Sequence, residues 1–123
     1  MLNRAEKENV FRQRLSKVAA GGTFDDLKFG PIKAGEIYHI QGLAMENEAT
    51  TITDIRVFID GHGYNHYLYE QKAPAAGYLY WAEDDFYVFE GEELVIRFTG
   101  CDPLDKLAAY LNGTFIVIDK KVE

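Results

Sequence analysis

From Thr23 to Ile118 the chain is written in short runs of Tyr, Phe, Val, Ile and Thr, cut about every ten residues by Gly, Pro, Asn or Asp. That rhythm restricts the fold more than any other feature. β-Branched and aromatic side chains suit a pleated, half-buried surface, and the intervening residues make turns. In Ile55-Arg56-Val57-Phe58-Ile59-Asp60, and again in Leu94-Val95-Ile96-Arg97-Phe98-Thr99, one face is apolar and the other carries charge. This period-two alternation marks half-buried antiparallel strands.

The pattern predicts strands near Thr23 to Phe29, Gly35 to Ala44, Ile52 to Asp60, Tyr64 to Gln71, Gly77 to Trp81, Phe86 to Phe89, Leu94 to Thr99, Lys106 to Leu111 and Thr114 to Ile118. Asn112-Gly113 is the strongest hairpin signal among the turns. Eight or nine strands in about 100 residues suit two packed sheets, each burying one face against the other. The expected fold is therefore all-β: an antiparallel jelly-roll or Greek-key β-sandwich of about eight strands, preceded by an N-terminal α-helix. A chain of 123 residues is expected to hold one core.

The helix is expected from Arg4 to Val18, where Gly and Pro are absent, Asn3 offers an N-cap and Glu6 stands three residues later. Phe11, Leu15 and Val18 follow i, i+4, i+7 spacing and form an apolar stripe that needs a partner surface. Gly21 and Gly22 suit a helix end. The division is thus 1–21, a basic amphipathic arm, and 22–123, the sandwich. Charge divides the same way. Residues 1–20 hold five basic and two acidic side chains, net +3, leaving −10 on the remainder out of a total of −7. An acidic body repels phosphate backbones, which speaks against a nucleic-acid partner. No run of about 18 apolar residues is present, and the first residues are too charged for a signal peptide, so neither membrane insertion nor classical secretion is expected.

Few residues point to chemistry. Ser16 is the only serine and lies on the arm; Cys101 is a lone cysteine with no histidine adjacent in sequence, which suits a small buried apolar group. No phosphate-binding glycine loop or dinucleotide fingerprint occurs. His62 and His66, joined by His39, are a conceivable transition-metal set, and Glu83-Asp84-Asp85, or more weakly Asp25-Asp26, a conceivable calcium turn. The ligand counts favour neither, so no metal, cofactor or catalytic residue is assigned and no enzyme is expected. The aromatic cluster is more informative: Tyr64, Tyr67, Tyr69, Tyr78, Tyr80, Trp81, Phe86, Tyr87 and Phe89 fall between positions 64 and 89. Strand alternation predicts that Tyr67 shares a face with Tyr69, and Tyr78 with Tyr80. One such row is left for a protein interface or for stacking on sugar rings.

The stretch Ile55 to Gly61, the loop Ala73-Pro74-Ala75-Ala76-Gly77 followed by Trp81, the run Val88 to Gly100 and the closing Leu107 to Gly113 resemble small β-sandwich virion proteins of tailed bacteriophages. In the resembled pattern a small residue or glycine precedes the acidic residue of the last turn, where this chain has Leu104 before Asp105. The resemblance implies a capsid-decorating or head/tail accessory subunit, assembled in the host cytoplasm and located in the virion. Its partners would be copies of itself, a trimer included, and the major capsid or other virion proteins. The expected protein-interface residues are Phe11, Arg12, Arg14, Leu15, Val18, Tyr67, Tyr69, Tyr78 and Tyr80. The alternative is a carbohydrate-binding adhesion module that meets host glycans through a tyrosine row and Trp81.

Overall fold

The computed structural model describes residues 8–118. Among them, the alternating segments become nine strands: β1 (Glu8–Val18), β2 (Phe24–Phe29), β3 (Glu36–Asn47), β4 (Asp54–Gly61), β5 (Tyr64–Lys72), β6 (Tyr80–Ala82), β7 (Phe86–Val88), β8 (Glu93–Thr99) and β9 (Lys106–Val117). They form two antiparallel sheets. Sheet A runs β1-β9-β3, with β6 and β7 both on the far side of β3; sheet B runs β2-β8-β4-β5. The chain crosses between sheets at every connection except β4 to β5 and β6 to β7.

The inner faces meet in one core. Ile55, Val57 and Ile59 of β4 join Leu94, Ile96 and Phe98 of β8 from sheet B. Ile40, Leu43 and Met45 of β3 join Leu107, Ala109 and Leu111 of β9 from sheet A. Burial contributes about 1.5–3 kcal/mol for each large side chain before conformational entropy is subtracted. One end is closed by aromatic rings: Phe11 stacks on Phe29 at 5.8 Å and meets Tyr38 edge-on at 5.1 Å, while Tyr38 stacks on Phe115 at 4.9 Å.

The expected N-terminal helix is corrected. Over residues 8–18 the chain is an edge strand, paired with β9 at every position from Glu8↔Ile116 to Val18↔Lys106. A spacing of four puts Phe11 and Leu15 on one side of either a helix or a strand, so these two residues did not discriminate. Val18 does: its odd spacing turns it to the other face of β1, where it is exposed. Tertiary pairing along β9 overrides the helical propensity of the Arg/Lys/Gln-rich segment. Asn3, Arg4 and Glu6 lie outside the described residues. Gly21 follows a strand instead of a helix. With φ at 83°, it lies against Pro103, where a Cβ would meet the proline ring at 2.6 Å.

The hairpin expected at Asn112-Gly113 is also corrected, because both residues lie inside the twelve-residue strand β9. Glycine is needed there for close approach: a Cβ on Gly113 would fall on the His39 carbonyl oxygen, beside the register shift between Ile40 and Gly42 in β3.

Candidate functional site

The nine side chains expected at an interface are dispersed by the fold. On β1, Phe11 and Leu15 point inward and pack against this chain's own core, so they are not docking residues. Arg12 and Arg14 face outward beside Asn112 and Tyr110 of β9. The Arg14 guanidinium lies 5.7 Å from the Tyr110 ring centroid and 3.8 Å from Glu48. Val10 is 83 % exposed on the same outward face.

Neither tyrosine row forms. β5 pairs with β4 through a register shift that sets Tyr67 opposite Phe58 and Tyr69 opposite Val57. The extra residue, Leu68, reverses the alternation, leaving Tyr67 exposed on the outer face and Tyr69 packed against the core. The Tyr69 hydroxyl donates to Gln71 Oε1 at 3.1 Å. Tyr78 is exposed ahead of β6, whereas Tyr80 turns inward and its hydroxyl accepts the Ala75 N–H at 2.9 Å. The exposed aromatic strip lies elsewhere, on β6 and β7. Trp81 is 55 % and Tyr87 51 % exposed, and Tyr87 stacks between His39 at 4.3 Å and Phe89 at 6.2 Å.

The polar candidates have other partners. His39 on sheet A bonds Asp85 at 2.7 Å, His62 lies 3.6 Å from Glu92, and His66 packs edge-on against Tyr64. Among the described residues, no group of three or more His, Cys, Asp or Glu side chains is arranged to hold a metal ion. The buried Asp25 carboxylate accepts the N–H groups of Ala20 and Gly21, pinning the exit of β1, while Asp26 takes a bidentate bond from Arg97. Burial, and then the carboxylates of Asp25, Asp105 and Asp102, push the Cys101 thiol up to about 12. That withholds the thiolate a nucleophile requires.

Two surface features were not anticipated. On the outer face of sheet B, Arg97 stacks 3.8 Å above the Phe24 ring and 5.1 Å from Phe58, and Arg56 bonds Glu70 at 2.9 Å beside Tyr67. All of these except Glu70 border a groove of about 320 Å³ that also includes Asp54, whose buried Oδ1 has no hydrogen-bond partner among the described residues. The signal was present as an acidic residue, Asp26, in β2 and a basic one, Arg97, in β8, but only the β2–β8 register pairs them. The second feature is a groove of about 450 Å³ between the two sheets at their β5 and β6–β7 edges. Tyr67, Leu68 and Tyr69 form one wall, and Ala82 to Phe86, with Glu83, Asp84 and Asp85, form the other.

With this geometry in hand, comparisons with protein-family models, curated proteins and solved structures find no match for the chain.

Proposed function

We propose that the chain is a structural subunit of a tailed-phage particle, a capsid-decorating or head/tail accessory protein acting through protein–protein contacts. The reading starts from the resemblance of residues 55–113. The observation that carries it is the set of exposed aromatic side chains Tyr78, Trp81, Tyr87 and Phe89 around β6 and β7, with Val10 and Val18 exposed on β1 at the opposite edge of sheet A. Large aromatic side chains with open faces are what protein interfaces bury. A jelly roll is the finer fold reading. β1 with β9, β2 with β8, β3 with β6 and β7, and β4 with β5 are the pairs made when one long antiparallel hairpin wraps into two sheets. The subunit would self-associate, a trimer being one closed form, and would add its binding energy to the shell by mass action. The test adds purified chain to phage heads and tails assembled without it, followed by sedimentation. The chain is expected to travel with one of them, and recovery of all of it in the soluble fraction overturns the proposal.

A second reading, a carbohydrate-binding module, draws on the sheet B groove rather than on a tyrosine row. The Asp54 carboxylate at the groove wall, beside the aromatic faces of Phe24 and Tyr67, is a setting for sugar hydroxyls and a pyranose ring. Specific glycan-array binding that disappears in Asp54→Asn and Tyr67→Ala supports this reading over the first.

A further inference from the structure

Sheet A ends in two unlike edges. At one, β1 has β9 as its strand partner, no second strand lies along its other edge from Val10 to Val18 among the described residues, and its outward face carries Val10, Arg12 and Arg14. Lys17 is already committed, reaching the Asp26 carbonyl and the Asp25 carboxylate, whereas the Arg14 ion pair with Glu48, at 3.8 Å, is long and exposed and so weakly held. At the other edge, β6 and β7 are three residues each and, among the described residues, pair only with β3. The turn between them is the acidic lip of the groove walled by Tyr67, Leu68 and Tyr69. His39 holds Asp85, which leaves Glu83 and Asp84 as the exposed carboxylates of that lip.

Strand direction decides how these edges can meet. Each neighbouring pair in sheet A is antiparallel, so β6 and β7 run opposite to β1. A second copy set alongside with its strands pointing the same way therefore brings its β1 antiparallel to β6 and β7, the pairing sense already used throughout the sheet. Two-fold arrangements do not fit the charges. Joining β1 to β1 puts Arg12 and Arg14 against their own copies, and joining groove to groove does the same to Glu83 and Asp84, and like charges in register are destabilising.

We infer that copies of this chain associate head to tail, with β1 of one copy lying along the β5/β6–β7 groove of the next. Arg12, level with the β6–β7 turn through Asn112 and Gly42, faces Glu83 and Asp84 across the contact with Arg14 beside it, and Val10, level with Tyr87 through Thr114 and His39, meets that ring on the outer face. The contact is heterologous, so it generates a closed ring or an open filament according to the rotation between copies. The inference rests on the structural-subunit reading and names the partner at one surface as a second copy.

The test is sedimentation velocity of the full chain at 0.15 M salt up to about 100 µM, a range that captures micromolar association. Wild type is expected to be oligomeric. Arg12→Glu/Arg14→Glu and Glu83→Lys/Asp84→Lys are each expected to raise the dissociation constant at least about tenfold, since charge reversal replaces attraction by repulsion. An equimolar mixture of the two is expected to associate again, because each variant retains one native face. Tyr87→Lys serves as an independent variant on the groove side of the contact, and wild-type melting of each protein shows that the fold is intact. A monomeric wild type overturns the inference. So does a groove variant that keeps wild-type mass, or a mixture that fails to associate. Co-sedimentation with particles separates the two levels: a monomer that binds particles leaves the subunit reading standing without this contact. An oligomer broken by both reversals that binds no particle leaves the contact standing without that reading.

Discussion

The outer faces of the two sheets are built differently. On sheet B, Phe58 is only 2 % exposed although it points away from the core, covered by Tyr67 at 5.2 Å and by the Arg97 guanidinium that Asp26 and Phe24 hold in place. Arg56, Glu70 and Lys72 continue this covering layer. On sheet A, Val10, Trp81 and Tyr87 stand open. Sheet B thus ties Arg56, Arg97 and their carboxylates into a layer over Phe58, although Tyr64 and Tyr67 stay exposed there, whereas on sheet A Val10, Trp81 and Tyr87 lie outside any such layer among the described residues. The comparison teaches that partners are to be sought along sheet A and at its two edges.

The largest expected effect tests that contrast directly. Phe58→Ala is expected to cost about 3–5 kcal/mol in urea denaturation, as much as a core truncation, because it empties a packed site. Trp81→Ala or Tyr87→Ala on sheet A is expected to stay under about 1 kcal/mol. Equal losses on the two faces would remove the distinction.

Next comes the turn that holds the open edge of sheet A. The Ala19 N–H donates to the Asp105 carbonyl at 2.8 Å, and the Leu104 N–H to the Ala19 carbonyl at 2.9 Å. Burial of the Asp105 carboxyl by itself raises its pKa, but bonds from the Asn47 amide, the Thr50 hydroxyl and the Asp102 N–H outweigh it and hold the group below the usual range. A depressed folded pKa stabilises above the unfolded value of about 3.9, and the benefit disappears as pH falls through the folded value. Asp105→Asn is therefore expected to lose about 1.5–3 kcal/mol at neutral pH and to show a flatter decline of melting temperature below pH 4. An unchanged acid limb would place the pH sensitivity elsewhere.

Arg97→Lys, which removes the bidentate bond to Asp26 and the stack on Phe24, is expected to cost about 1–2 kcal/mol. Arg12→Ala on β1 is expected to change monomer stability by less than about 0.5 kcal/mol and to act on association instead. Comparable thermal shifts in the two would mean that sheet A's arginines are as engaged as sheet B's. The last effect is a gain. Leu104 is exposed with φ at 72°, at the position where the resembled phage proteins carry a small residue or glycine. Leu104→Gly is expected to stabilise by about 0.5–1 kcal/mol, as relief of the left-handed strain exceeds the added entropy of the unfolded chain.

Much of the sandwich was legible in the sequence. β2, β4, β5 and β8 lie within two residues of their expected bounds because side-chain alternation and turn residues are local signals. Legibility failed where a local signal had two readings. Phe11 and Leu15 fit a helix or a strand equally, and Gly113 was read as a turn when its missing Cβ makes room for the His39 carbonyl. It failed again where one inserted residue changed parity, since Leu68 in its bulge sends Tyr67 and Tyr69 to opposite faces. The candidate surface suffered most. Arg12, Arg14, Val18, Tyr67 and Tyr78 are exposed as an interface requires, but Phe11, Leu15, Tyr69 and Tyr80 turn toward the core.

By itself, the amino-acid order determined that this chain would bury alternating residues between β-sheets, because a strand's two faces are written two residues apart. Only the tertiary structure decided that residues 8–18 are a strand, which charges pair on sheet B, and which edges of sheet A stay open. The physical reason is that the hydrogen-bond partner of a strand lies far away in the chain: β1 meets β9 about a hundred residues later, and no local pattern specifies that encounter.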